Sequence, residues 1–196
     1  MIDYFALLEQ PRGPWLDLEQ LRDIYHRKTL AQHPDSQAHR EMIAPVGVGF
    51  ADLNEAYRVL RDPKLRLQHL LRLEGCALGS ADQTIPRELH DLFPTIGALT
   101  QRNKLLLKEV GATSSPLSRA LLKSRILTAQ NETNEMRQTL RNLTDTALTR
   151  LRQVHAAWLE NPSEQISALS NLNSVFAFLN RWSSQLDEMH FQLSLH

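Results

Sequence analysis

Several residue types and patterns are scarce in this chain, and each scarcity excludes a class of protein. There is one cysteine, Cys76, in 196 residues, which excludes an intramolecular disulfide and any metal site built from a cysteine cluster. The 7 Gly and 9 Pro are too few for a low-complexity or disordered chain. No apolar run approaches the roughly 20 residues that a membrane span requires, and the first residues enter a helical pattern at once. We therefore expect a cytoplasmic protein without a membrane partner.

An excess of charge of either sign is also absent, because 22 Lys and Arg balance 22 Asp and Glu. A neutral chain has no overall field that draws it toward nucleic acid, so any electrostatic partner must bind a local patch. The 8 histidines lack the i, i+4 pairing of a helical metal site. A glycine-rich phosphate loop, a nucleophile elbow and a pair of catalytic carboxylates are missing too. We therefore expect no nucleic acid, metal or cofactor, no catalytic residues, and a protein that is not an enzyme.

Apolar residues recur at spacings of three and four along almost the whole chain, which predicts an all-α fold. A first helix is predicted over residues 4–8, ended by the following prolines and glycine. Asp17 has the position of an N-cap for a second helix. We expect the buried stripe of the second helix to consist of Leu18, Leu21, Tyr25 and Leu30.

The second helix must end at His33, because the residue before a proline is pushed out of the helical region. A third helix of similar length opens at Phe50 and stops at Asp62, before Pro63. Two such helices joined by a long loop pack most simply as an antiparallel hairpin with the first helix across them. This arrangement predicts that His33, Pro34 and Asp35 lie exposed at the hairpin tip.

Three further amphipathic helices fill the second half of the chain. They are predicted to begin at Pro86, Pro116 and the turn at Pro162, with Pro94 as a kink or a restart in the first of them. Such helices cannot bury their apolar stripes alone, so a three-helix bundle is predicted. Polar turn residues before Pro86 mark the boundary. The predicted division is a first domain over residues 1–75, a linker over 76–85 and a bundle over 86–196.

The first half resembles a J-domain in three segments that occur in the order and spacing of that family. These segments are Tyr4-Phe5 with Leu7-Leu8, the stretch 25–28 leading into His33-Pro34-Asp35, and residues 50–63. The resemblance implies that His33, Pro34 and Asp35 contact a DnaK-type chaperone at the junction of its nucleotide domain and linker, and favour ATP hydrolysis there. It also implies that a basic helix face docks on an acidic surface of that chaperone. The implied docking residues are Arg22, Tyr25, His26, Arg27 and Lys28.

The leucine-rich segment 64–75 is similar to HscB-type co-chaperones of iron-sulfur cluster assembly, and so is the final helix around 176–188. This resemblance implies a DnaK/HscA-type chaperone as partner and a bundle that binds an IscU-like scaffold protein as client. In that family an acidic and apolar face on the first bundle helix binds the scaffold. Here residues 96–104 and 117–130 carry basic and neutral side chains instead. The client therefore stays open between this scaffold, a different client, and a structural adaptor role.

Each candidate site also has a plainer interpretation. His33-Pro34-Asp35 is also explained as a surface turn in which proline stops a helix. The basic residues 22–28 are also explained as a solvated helix face, partly neutralised by Asp23. The bundle is expected to bury Trp158, Phe176, Phe178 and Trp182. The HscB resemblance implies instead that the Phe178 ring is exposed and contacts the client.

Overall fold

The computed structural model describes residues 1–31, 49–76, 85–113 and 115–196. Every regular element in these ranges is helical, which confirms the all-α class. A short 3₁₀ turn, Arg87–Leu89, accompanies the α-helices. The α-helices are α1 (Tyr4–Leu7), α2 (Leu18–Ala31), α3 (Phe50–Arg61), α4 (Pro63–Leu73), α5 (Leu92–Ala112), α6 (Pro116–Glu160) and α7 (Pro162–Ser194). In the described part of the chain, no helix combines the length and the apolar character needed to cross a membrane.

The described residues divide into two compact units that differ from the predicted domains in one respect. The first unit comprises Met1–Gly79 and Arg150–Asn173, and the second comprises Ser80–Thr149 and Ser174–His196. The end of α6 and the beginning of α7, which we assigned to the bundle, therefore cluster with the first unit. The limits of the functional domains stay a prediction, and residues 77–84 of the expected linker lie outside the described ranges.

Helices α2 and α3 of the first unit pack together in antiparallel register. The Tyr25 hydroxyl donates a hydrogen bond of 2.6 Å to Asn54 Oδ1, and the Tyr25 and Tyr57 rings stack with centroids 4.3 Å apart. At the other end of the pair, one side chain of α4 reaches both Pro14, just before α2, and Leu60, at the end of α3. The start of α2 thus lies beside the end of α3, as the hairpin requires.

Arg66 of α4 is the side chain that joins those two ends, and it is buried with 2% of its surface exposed. Its Nε donates to the Pro14 carbonyl at 2.8 Å, and its Nη1 donates to the Leu60 carbonyl at 2.6 Å. Burial lowers the pKa of Arg66 to about 10, so the guanidinium stays charged at neutral pH. Arg66 satisfies two backbone carbonyls that would otherwise be buried without a donor.

His69 caps the first helix from the same face of α4. The backbone N–H of Tyr4, a free donor at the start of α1, donates to His69 Nε2 at 3.1 Å. The imidazole also stacks on the Tyr4 ring at a centroid distance of 4.5 Å. Asp3 accepts the next two N–H groups of α1. A four-residue helix is held in this way by two side chains and by the burial of Phe5.

The loop between α1 and α2 packs against the end of α6 within the first unit. Trp158 Nε1 donates to the Arg12 carbonyl at 3.3 Å. A Cβ at Gly13 would lie 3.0 Å from the imidazole of His155, so any other residue at this position would need the imidazole to shift by a few tenths of an ångström. Trp158, which we expected to pack the C-terminal bundle, is instead buried in the first unit.

The second unit is a bundle of α5 with parts of α6 and α7, which confirms the predicted three-helix packing there. Its buried cluster draws on all three helices and consists of Leu106, Leu122, Ile126, Ala129, Met189 and Leu193. One polar pair joins α5 to α6, because Asn103 Nδ2 donates to Thr133 Oγ1 at 2.9 Å. An ion pair of 2.6 Å between Arg137 and Asp187 joins α6 to α7.

Some predicted details are wrong. Leu18 and Leu30 are exposed, and the buried residues of α2 are Leu21 and Ile24. The two exposed leucines lie at the ends of the helix, where fewer neighbours can cover a side chain. Helix α5 begins at Leu92 and not at Pro86. Pro94 therefore falls in the first turn, where a missing N–H breaks no intrahelical hydrogen bond, so of the two predicted roles it has that of a restart and not of a kink.

Candidate functional site

The basic face of α2 consists of Arg22, His26, Arg27 and Lys28 and lies in the first unit. Arg22 and Arg27 have mostly exposed side chains, and His26 is exposed as well. Asp17 positions the start of this helix, because its Oδ1 accepts the N–H groups of Glu19 and Gln20. The predicted residues thus form an accessible surface on a capped helix.

Tyr25 differs from the other predicted docking residues. Its hydroxyl is engaged by Asn54 and its ring by Tyr57, so it ties α2 to α3 and is only partly exposed. The Tyr25 hydroxyl is therefore not a free donor for a partner that binds α2. Tyr25 therefore positions the basic face.

Two carboxylates reduce the positive charge of the basic face. Asp23 lies 3.7 Å from the Arg22 Nε, as the sequence suggested. Glu9, which follows α1, accepts from Lys28 Nζ at 2.7 Å and from Arg27 Nη2 at 3.2 Å. The hydrogen bond and charge of Lys28, together with the charge of Arg27, lower the pKa of Glu9.

Sequence reasoning missed Glu9, because no pattern connects it to α2. Its backbone has φ of 51°, a left-handed conformation that glycine or asparagine adopts more readily than glutamate. Arg66 and His69 were missed as well. The signal for these two was present, because they are polar residues on the apolar face of a leucine-rich helix.

The motif His33, Pro34 and Asp35 lies outside the described residues. Its role as the chaperone contact stays a prediction, carried by the sequence and by the hairpin that flanks it.

Phe178, the predicted client contact, is buried with 4% of its surface exposed. Its ring lies 5.6 Å from that of Trp182, and the Arg181 guanidinium covers it at 5.2 Å. The buried ring agrees with the expectation that Phe178 packs the bundle. The exposed ring that the HscB resemblance implies is wrong, because a neighbouring aromatic side chain and a cation pack over it. A role for Phe178 in client binding stays a prediction. Within the described ranges, no group of three His, Cys, Asp or Glu side chains is arranged to hold a metal ion.

Comparison with known proteins relates this chain to a co-chaperone. No family model matches the chain. The chain is 32% identical over 106 residues to a protein described as co-chaperone protein HscB, from Proteus mirabilis strain HI4320. The matched segment covers 53% of this chain and 59% of that protein. The similarity supports an HscB-like family, while the J-domain assignment stays a prediction.

Proposed function

We propose that this chain is a non-enzymatic co-chaperone that stimulates the ATPase of a DnaK/HscA-type chaperone and delivers an IscU-like iron-sulfur scaffold protein to it. The observation that carries the proposal is the 32% identity to a co-chaperone HscB. The residues proposed to contact the chaperone are His33, Pro34 and Asp35 together with the basic face of α2. Residues 1–75 would contact the chaperone, and residues 86–196 would present the client.

The proposed mechanism places all hydrolysis chemistry in the partner. This chain contributes contacts that are stronger in one conformational state of the chaperone than in the other, and such a difference shifts the partner toward its hydrolysing state. The charge on α2 mainly accelerates encounter with an acidic surface and makes binding sensitive to salt. A proline has a fixed φ, so the motif has fewer conformations to lose on binding than it would with another residue at position 34.

The test is a single-turnover ATPase assay of a purified DnaK-type chaperone with this chain in excess. We expect stimulation by the native chain and none by the His33→Gln variant, with the helical content of the variant unchanged by circular dichroism. His90→Gln, which makes the same change at an exposed histidine of the second unit, should stimulate like the native chain. Undiminished stimulation by His33→Gln would refute the proposal.

A second candidate keeps the chaperone contact but assigns the bundle a different client. The observation that favours it is the charge of residues 96–104 and 117–130, which together contain five Lys or Arg and no Asp or Glu, where the HscB resemblance implies acidic residues. Titration of the full chain with an IscU-like scaffold distinguishes the two candidates. Saturable binding supports the scaffold, and no binding with the scaffold in excess supports the different client.

A further inference from the structure

A groove of about 650 Å³ opens in the second unit where α5 ends, α6 begins and α7 ends. Apolar side chains form most of its described wall, among them Val110, Leu122, Ile126 and Leu195. Leu122 and Ile126 are also part of the buried cluster of the bundle, so the floor of the groove is the rigid core itself. This volume lies in the range of pockets that hold ligand-sized groups.

Large apolar side chains are exposed on the helices that line this bundle groove. Leu195, in its wall, is 65% exposed. Leu117 and Leu121 are 73% and 69% exposed and lie in the first two turns of α6, next to the lining residues Ala120 and Leu122. Single exposed leucines are ordinary, but several beside an apolar groove mark an interaction surface.

The same region carries unneutralised positive charge. Lys123 is the only Lys, Arg, Asp or Glu in the described wall of the groove. Lys104 and Lys108 share one side of α5 with the lining residue Gly111, since positions four and seven apart lie on one helix face. Among the described residues, none of these three lysines has a carboxylate within ion-pair distance. Glu109, the one acidic residue of 101–130, is held by Arg125 at 2.9 Å.

We infer that the bundle groove binds an acidic amphipathic segment of a partner protein. Its apolar side chains would enter the groove, as in other helix-in-groove complexes, and its carboxylates would face Lys104, Lys108 and Lys123. A second copy of this chain would bring the same positive surface and be repelled. Single-stranded nucleic acid would need a series of aromatic stacking platforms, and the described wall contains no Phe, Tyr or Trp. This surface is separate from the residues of the proposed chaperone contact and goes beyond the proposed function.

The test uses the full chain and two fluorescein-labelled synthetic peptides of 18 residues. Both carry leucine on one helical face, and the other face carries glutamate in the first peptide and lysine in the second. Fluorescence anisotropy should show the acidic peptide binding at least tenfold more tightly than the basic one. Lys123→Glu should weaken the acidic peptide roughly tenfold, the size expected for reversing one close charge contact. Arg87→Glu makes the same charge change outside the groove and should alter binding less than twofold.

The leucine contribution is tested by Leu195→Ser, which removes an exposed apolar side chain and should also weaken the acidic peptide several-fold. Circular dichroism of both groove variants should match the native chain, which separates lost binding from lost folding. Equal binding of the two peptides, or full binding by Lys123→Glu, would overturn the inference. So would displacement of the acidic peptide by phosphatidylserine vesicles or duplex DNA at lower concentration than by unlabelled acidic peptide.

The groove assignment and the proposed function can be refuted independently of each other. If the native chain binds the acidic peptide selectively but does not stimulate a DnaK-type ATPase, the groove assignment stands and the proposed function falls. If the native chain stimulates the ATPase but does not distinguish the peptides, the groove assignment falls.

Discussion

The two units bury different kinds of polar side chain. The first buries Arg66 and His69, which both titrate and both hold backbone groups of other elements. The buried polar residues of the second unit are neutral in its described part, as in the pair Asn103 and Thr133. The geometry of the first unit thus depends on particular charge and protonation states. The bundle depends mainly on apolar stripes, which tolerate exchange of similar residues.

The basic surfaces of the two units differ in how far their charge is neutralised and in whether exposed leucines accompany it. The basic face of α2 is partly neutralised by Asp23 and Glu9 and has no exposed leucine at its centre. In the bundle groove, lysines that have no carboxylate partner among the described residues occur together with exposed leucines. Charge alone accelerates association, whereas buried apolar area slows dissociation. The first surface therefore suits brief encounters and the second suits a partner that stays bound.

The largest expected effect on stability comes from removal of the buried charge of Arg66. Arg66→Met keeps the volume but leaves the Pro14 and Leu60 carbonyls without their donor, and each unsatisfied buried acceptor costs about 1 to 3 kcal/mol. We expect the free energy of unfolding of the first unit to fall by about 2 to 4 kcal/mol. Urea denaturation followed by circular dichroism measures this loss.

Arg72→Met is the matched control, because Arg72 is exposed on the same helix. It should change the free energy of unfolding by less than about 0.5 kcal/mol. Equal effects of the two substitutions would mean that the hydrogen bonds of Arg66 to Pro14 and Leu60 do not stabilise the first unit.

Helix boundaries could be predicted from the sequence, whereas contacts between distant residues could not. Apolar spacing, Asp17 and the prolines at 63, 116 and 162 predicted most helices to within a few residues, because these signals act through local sterics and hydrogen bonding. The pairing of His69 with Tyr4, and of Glu9 with Lys28, joins distant positions that no periodicity connects. The burial of Phe178 belongs to the predictable part, because Arg181 and Trp182 lie three and four residues further along the same helix, where side chains meet.

Replacing a neutral buried polar group of the second unit should not lower the free energy of unfolding, in contrast to replacing Arg66. Asn103 Oδ1 is buried and has no hydrogen-bond partner among the described residues. Thr133 keeps the Ala129 carbonyl as acceptor without Asn103. Asn103→Leu removes the unsatisfied oxygen at similar volume, so we expect the free energy of unfolding to be unchanged or to rise by about 1 kcal/mol. Thermal denaturation tests this, and a loss above about 2 kcal/mol would show that the amide is needed.

A smaller effect is expected from pH, and it should be confined to the first unit. Burial lowers the pKa of His69 below its ordinary value of 6.5, and Nε2 must be unprotonated to accept the Tyr4 N–H. The unfolded chain therefore takes up a proton at higher pH than the native chain does. The stability from neutral His69 is complete above pH 6.5 and declines as the pH falls below that value.

Melting temperatures between pH 7.5 and 5 should show this decline in the native chain. They should show a weaker decline in His69→Gln, whose amide oxygen can accept from Tyr4 without titrating. Some pH dependence should remain, because burial also lowers the pKa of His155 in the same unit. An unchanged slope in His69→Gln would exclude His69 as the source.

The smallest effect is expected from neutralising Glu9, which pairs with Arg27 and Lys28 of the basic face. Glu9, Arg27 and Lys28 lie at the surface, so Glu9→Gln should change the free energy of unfolding by less than about 0.5 kcal/mol while it frees two cations. If the proposed chaperone contact is correct, association with a DnaK-type chaperone at low salt should accelerate roughly twofold, and the difference should vanish at high salt. Glu55→Gln alters net charge equally but frees Arg58 of α3 instead. Stopped-flow measurements give the association rate constant. An equal rise for both variants would assign the effect to net charge, whereas a rise for Glu9→Gln alone would place the encounter surface on α2.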